Sequence, residues 1–201
     1  SVPVSEFGDS PLIMKQIDDI LNILSLTQEY FKLKLNDDLE SELSNIVIQT
    51  GAYRAIAHMF SSSHLIKINN EEVFTDYSLS FIYEFVQRKA IAARLLDNGI
   101  FHLITESPVG LIIQKGHISP YSSNSTIGRL HRLWTERILP IVLLLVSHFG
   151  NSITFSLSQF ALTFKNQFKY TIQTWLETDS LLSASIIEET EQIILFAKLL
   201  N

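Results

Sequence analysis

Residues 127–150 read IGRLHRLWTERILPIVLLLVSHFG, and this stretch decides the fold. Leu130, Leu133, Trp134, Ile138, Ile141 and Leu145 recur at three- and four-residue spacing, which places them on one stripe of a long α-helix over residues 127–149. Pro140 lies inside that run. It has no N–H for the carbonyl of Glu136, so a kink is expected there. Gly150 supplies the stop. The apolar part, residues 138–146, is shorter than the roughly 20 residues a membrane crossing needs, so it reads as a buried helix.

The same logic extends outward on both sides. Upstream, Ser10 followed by Pro11 is a cap-then-proline start for a helix to about residue 34, with Ile13, Ile17, Ile20, Leu21 and Leu24 on one face. Asn36 with Asp37 and Asp38 opens a second helix, which Gly51 breaks or bends before a third over residues 52–60. Thr75 is expected to cap a long helix running to Asp97, stopped by Asn98-Gly99. Ser107-Pro108 restarts a short helix. The longest loop signal is residues 115–126, KGHISPYSSNST, and it is the one plausible internal boundary. Downstream, residues 152–175 read as helical with an irregularity near 165–168, and Phe155, Phe160, Phe164 and Phe168 fall at packing intervals. A last helix starts near Ser183, where Ser185 and Glu188 have capping-box spacing.

Composition narrows the class further. The 201 residues are 46% hydrophobic and 18% charged, which excludes disorder. There is no Cys, so neither disulfides nor thiolate metal sites exist. A formal charge of −6 argues against nucleic acid as the main partner. Residues 1–10 carry no signal-peptide pattern, and the missing initiator Met suggests a fragment of a longer chain, as does an apolar ending at Leu199-Leu200. Helices everywhere, with no strand alternation, predict an all-α chain. Pairing them gives units near 40 residues, the size of HEAT and armadillo repeats. Helix length and pairing favour one stacked segment over residues 1–201, a right-handed superhelical stack of antiparallel helix pairs, over a closed bundle.

No reactive constellation is legible. Phosphate-loop and hydrolase-elbow motifs are missing, and Ser61-Ser62-Ser63-His64 has no orienting acid nearby. The six histidines form no metal motif; His102 and Glu106, four apart, read as ordinary surface or satisfied groups. Glu188, Glu189 and Glu191 suit the positive end of the last helix and read as a solvated face. No catalytic, cofactor or metal site is therefore expected. One candidate partner-binding group remains: Arg129, Arg132 and Arg137 lie within about 140° of the helix circumference, beside the apolar stripe, and can grip an acidic segment. Arg88, Lys89 and Arg94 are a looser basic set that reads as a solvated face.

Residues 107–122 (SPVGLIIQKGHISPYS) and 129–150 (RLHRLWTERILPIVLLLVSHFG) resemble the C-terminal region of the large inner-ring scaffold nucleoporins, two sibling helical giants of the nuclear pore complex. The resemblance is clearest over about a third of the chain. It implies a non-enzymatic scaffold at the nuclear envelope that holds linker segments of other nucleoporins, with transport factors as further partners, and that serves protein and mRNA transport. It implies no cofactor, no direct nucleic-acid contact and no membrane span. It carries no binding residue onto a position here and does not choose between the siblings. The competing readings are another helical-repeat adaptor, such as a transport receptor or vesicle-tethering subunit, and a helical ligand carrier or enzyme with a pocket near His102 or His131.

Overall fold

A computed structural model describes residues 11–68, 71–177 and 182–200. The chain is all-α. Among the described residues the extended backbone pairing is a single isolated bridge between Ile68 and Glu71. Two compact units divide it, Ser1–Arg94 and Leu95–Asn201, with the division inside a helix rather than in a loop. The expected Ser10 cap lies outside the described residues.

The first unit holds α1 (Pro11–Phe31), α2 (Asp37–Gln49), α3 (Ala52–Ser62), α4 (Val73–Val86) and the start of α5 (Lys89–Asp97). Asn36 caps α2 as expected, its side-chain oxygen accepting from Leu39 N at 2.9 Å. Gly51 separates α2 from α3 in a left-handed conformation. The long helix to Asp97 is in fact two, because the chain turns at Gln87 and Arg88. Thr75 does not cap it either. The helix begins at Val73, and the Thr75 hydroxyl is buried against Ser63 Oγ at 2.7 Å. Phe31, Phe81 and Phe85 pack edge-to-face or tilted at the centre, with ring centroids 5.2–6.2 Å apart. Arg88, expected on a solvated face, instead ties three elements together. Its guanidinium donates twice to the Glu40 carboxylate (2.7 and 3.1 Å) and to the carbonyls of Glu84 and Phe31.

The second unit continues with α6 (Ile100–Glu106), α7 (Pro108–Ile113), α8 (Ser125–Leu133), α9 (Leu139–Phe149), α10 (Thr154–Thr163), α11 (Lys165–Glu177) and α12 (Ala184–Leu200). Gly99 opens α6 with φ +73°, and Ser107 Oγ accepts from Gly110 N at 3.0 Å to start α7 at Pro108. The break between α10 and α11 falls at Phe164, one residue before the expected irregularity. Trp134 stacks on Phe160 (centroids 6.0 Å, planes 9° apart), with Phe164, Phe168 and Phe196 completing the aromatic core. Phe155 is not part of it. It stands 78% exposed on the outer side of α10. Ser183, not Ser185, offers its hydroxyl to the start of α12, at 3.4 Å from Ile186 N.

Pro140 distorts the long helix by a change of register. Residues Trp134–Ile138 form a π-turn between α8 and α9, in which Leu139 N donates to Trp134 O, five residues back. Pro140 has no N–H for the carbonyls of Thr135 or Glu136. Side chains satisfy both. Gln192 Nε2 donates to Thr135 O at 2.9 Å and Arg137 Nη1 to Glu136 O at 2.8 Å. By length and composition alone, the run Ser125–Thr163 is apolar enough to cross a membrane. Its residues Ile138, Leu139, Ile141, Val142 and Leu145 are wholly buried within the unit, where α12 packs on α9 and the π-turn.

Candidate functional site

The most polar place in the interior is built around Glu189 on α12, a residue the sequence places on a solvated face and the structure buries completely. The first-turn argument for acids is local, and it holds for Glu188 and Glu191, which are exposed. Glu189 lies one residue out of phase with them, on the inner side. One carboxylate oxygen accepts from Trp134 Nε1 (2.8 Å), Thr171 Oγ1 (2.8 Å) and Gln167 Nε2 (3.1 Å). The other meets His131 Nε2 at 2.8 Å. Burying a carboxylate is costly unless donors replace its water, and four donors do so here.

Gln167 carries the network to the 115–126 loop. Its amide holds both backbone groups of Ile118, accepting from the N–H at 3.1 Å and donating to the carbonyl at 3.0 Å. Three helices, the π-turn and the loop thus converge on one acid. His131 is fully buried, and its Nδ1 makes no hydrogen bond among the described residues. The His–Glu–Thr set is chemically suggestive, yet its bonds close on one another: Thr171 Oγ1 lies within reach of the carboxylate and of the Gln167 carbonyl. The arrangement fixes the register of α12 against α8 and α11.

The three candidate arginines are spread unevenly. Arg132 is exposed, Arg129 is half-buried, and Arg137 turns one nitrogen to the Glu136 carbonyl. His102 is exposed on α6, and the serines at 61–63 use their hydroxyls on the carbonyls of His58 and Phe60 at the end of α3. Among the described residues no three His, Asp or Glu side chains gather as a metal site.

The described residues form an all-α module whose interior polar centre ties its helices together. The chain belongs to the nuclear pore protein NUP188 C-terminal domain family, whose profile matches residues 14–198. That family functions at the nuclear pore complex of the nuclear envelope, so the resemblance drawn from the sequence holds, and of the two siblings it is this one. Nucleoporin NUP188 of Saccharomyces cerevisiae is 35% identical over 183 residues, covering 91% of this chain and 11% of that protein. Nucleoporin nup184 of Schizosaccharomyces pombe is 29% identical over 143 residues, covering 71% and 9%. The chain therefore spans about a tenth of the length of these relatives. In fold it is similar to a solved structure of Nup188 residues 1445–1827 from Myceliophthora thermophila, with a TM-score of 0.80 at 17% identity, over 99% of this chain and 59% of that one.

Proposed function

We propose that this chain is one segment of a longer helical scaffold, which holds segments of other nucleoporins and through them supports nucleocytoplasmic transport of protein and mRNA. In this reading it performs no catalysis, needs no cofactor, contacts no nucleic acid directly and crosses no membrane, its apolar long helix being core.

The observation that carries the reading is the two-sided character of α1. Phe31 is buried and Ile17, Leu21 and Leu24 are half-buried, while on the opposite side Leu12, Ile23, Leu26 and Tyr30 form a second apolar stripe, Leu26 being 73% exposed. A helix apolar on two faces has more surface to bury than one neighbour can cover. Ile187 and Ile194 give α12 a similar outward pair, one helical repeat of seven apart. Flanking helices of the longer chain and partner segments suit such faces. Arg129, Arg132 and Arg137 would add charge-assisted contacts to an acidic partner, with the exposed Arg132 leading.

The test uses the tagged full-length protein, with and without this segment. The intact protein should give a nuclear-rim signal and co-purify other nucleoporins, and deletion of the segment should remove some of them. An unchanged set of co-purifying nucleoporins would sink the proposal. Charge reversal at Arg129 and Arg132 should weaken capture of an acidic partner and leave the melting temperature nearly unchanged.

A further inference from the structure

Charge in this chain is segregated. Residues 107–176 hold six basic residues, Lys115, Arg129, Arg132, Arg137, Lys165 and Lys169, against a single acid, Glu136. Those residues sum to +5, in a chain of −6. The remainder is strongly acidic. A basic region inside an acidic chain is a feature of the surface field and calls for a partner of opposite sign.

The structure concentrates part of that charge at one corner of the second unit. Gly116, at φ +78°, lies so close to α11 that a Cβ there would meet the backbone of Asn166 at 3.2 Å. The residues flanking this contact are Lys115, His117 and Lys165, all exposed. Asn166 Nδ2 donates to Gln114 O at 3.1 Å, and Gln167 grips both sides of Ile118, so the loop is pinned on each side of the contact. His117 has a left-handed backbone at φ +76°, the one non-glycine with positive φ among the described residues, and its ring meets Tyr170 edge-on at 5.1 Å. That conformation is uncommon for a residue with a side chain, and bonds on either side of His117 hold it.

From that corner a stripe runs along α11. Lys165, Lys169, Ile172 and Leu176 fall at i, i+4, i+7 and i+11, within about 60° of the helix circumference and over about 16 Å. Leu176 is 75% exposed, and Trp175 lies at the edge of the stripe. None of Lys115, Lys165 and Lys169 makes an ion pair among the described residues, although elsewhere Lys32, Lys67 and Arg88 each meet a glutamate.

We propose that this corner and stripe form a docking surface for an acidic, amphipathic helical segment of a partner protein, its carboxylates on Lys165 and Lys169 and its apolar residues on Ile172, Trp175 and Leu176. The proposal deepens the scaffold reading and rests on it. The mixed pattern favours a peptide: a phosphate backbone would be served by the lysines alone, whereas an amphipathic helix meets both the lysines and the exposed Ile172, Trp175 and Leu176. The loop pinned by Gln167 sets where Lys115 and His117 stand beside it.

The experiment measures fluorescence anisotropy of the 201-residue chain with a labelled designed helical peptide of about 18 residues. The peptide carries Glu at two positions four apart and Leu seven and eleven residues after the first Glu. The comparison probes are the same peptide with Lys for Glu, a single-stranded RNA and phosphatidylserine vesicles. The acidic peptide should bind, weaken with salt, and lose about tenfold or more in affinity in the Lys165→Glu/Lys169→Glu variant. Leu176→Ser should weaken it as well, and charge reversal of the exposed Lys34 of the first unit, Lys34→Glu, should leave it nearly unchanged. Circular dichroism of each variant shows that the helices persist. Equal binding by wild type and the lysine variant, or preference for RNA or vesicles, would overturn the proposal. If the lysine variant has no effect while deletion of the whole segment still removes co-purifying nucleoporins, this site is wrong and the scaffold reading stands.

Discussion

Gln192 donates its side-chain amide to the carbonyl of Thr135 at 2.9 Å, 57 residues earlier, supplying the bond that Pro140 cannot. The glutamine and the proline therefore act as a pair. An unsatisfied carbonyl costs about 1–3 kcal/mol when buried, so Gln192→Ala should destabilise the second unit by roughly that amount in urea unfolding. In a Pro140→Ala background the restored N–H can satisfy the π-turn locally, and the same substitution should cost measurably less. A double-mutant cycle reads the difference directly. Equal costs in the two backgrounds would show that the bond does not compensate for Pro140.

The Glu189 centre makes a larger demand. Removing the carboxylate with Glu189→Leu strands the Trp134 indole N–H and the His131 ring in the interior, while Gln167 and Thr171 keep only their bonds to Ile118 and to each other. Breaking a buried, fully donated acid costs about 3–5 kcal/mol, and thermal unfolding should fall accordingly. Glu189→Gln keeps the shape and one acceptor oxygen and should cost less. If both substitutions cost the same, the charge of the carboxylate rather than its shape holds α12 in place.

Arg88 offers a test in the other unit. Its planar fork matches the Glu40 carboxylate, and one of the same nitrogens reaches the Phe31 carbonyl, so Arg88→Lys keeps the charge and loses the geometry. The pair is partly solvated, which limits its worth. We expect a loss of about 1 kcal/mol, about equal for Arg88→Lys and Arg88→Met. Hydrogen exchange should report it at the end of α1 and the first turn of α2. Full retention of stability by the lysine variant would assign the role to charge alone.

Gly110 fits a space that admits no side chain. A Cβ there would fall on the Ile104 carbonyl of the preceding helix, which is backbone and cannot swing aside. Gly110→Ala should therefore displace α7 from α6 and destabilise the second unit by about 2 kcal/mol or more, whereas Gly128→Ala, where a Cβ meets nothing within 4 Å, should be neutral or stabilising. Circular dichroism with thermal melting separates the two.

What the sequence discloses is what short range determines. The Asn36 cap, the Ser107-Pro108 restart and the stops at Gly99 and Gly150 are set within one turn of chain, and each lies where its residues predict. The failures share a cause. Thr75 looks like a cap until Ser63, twelve residues away, takes its hydroxyl. Glu189 looks solvated because its acidic neighbours are, and nothing within a turn of it announces donors from positions 131, 134, 167 and 171. Pro140 announces a distortion but not its form, since the π-turn is completed by a side chain from α12. Arg88 reads as one more surface cation until α1 and α2 fold over it. The charge segregation over residues 107–176 is legible in the sequence, but only a count along the chain exposes it, and only the loop pinned at Gly116 brings part of it to one corner.

The chain has two tryptophans, and the fold sets them in opposite circumstances. Trp134 is sealed among phenylalanines with its N–H on a carboxylate, while Trp175 is 42% exposed beside the lysine stripe. Each is therefore a native optical reporter for a different event. The emission of Trp134 should shift only when α12 leaves its seat, and that of Trp175 only when something covers α11. Single Trp→Phe variants would let unfolding and docking be followed separately in one unlabelled protein.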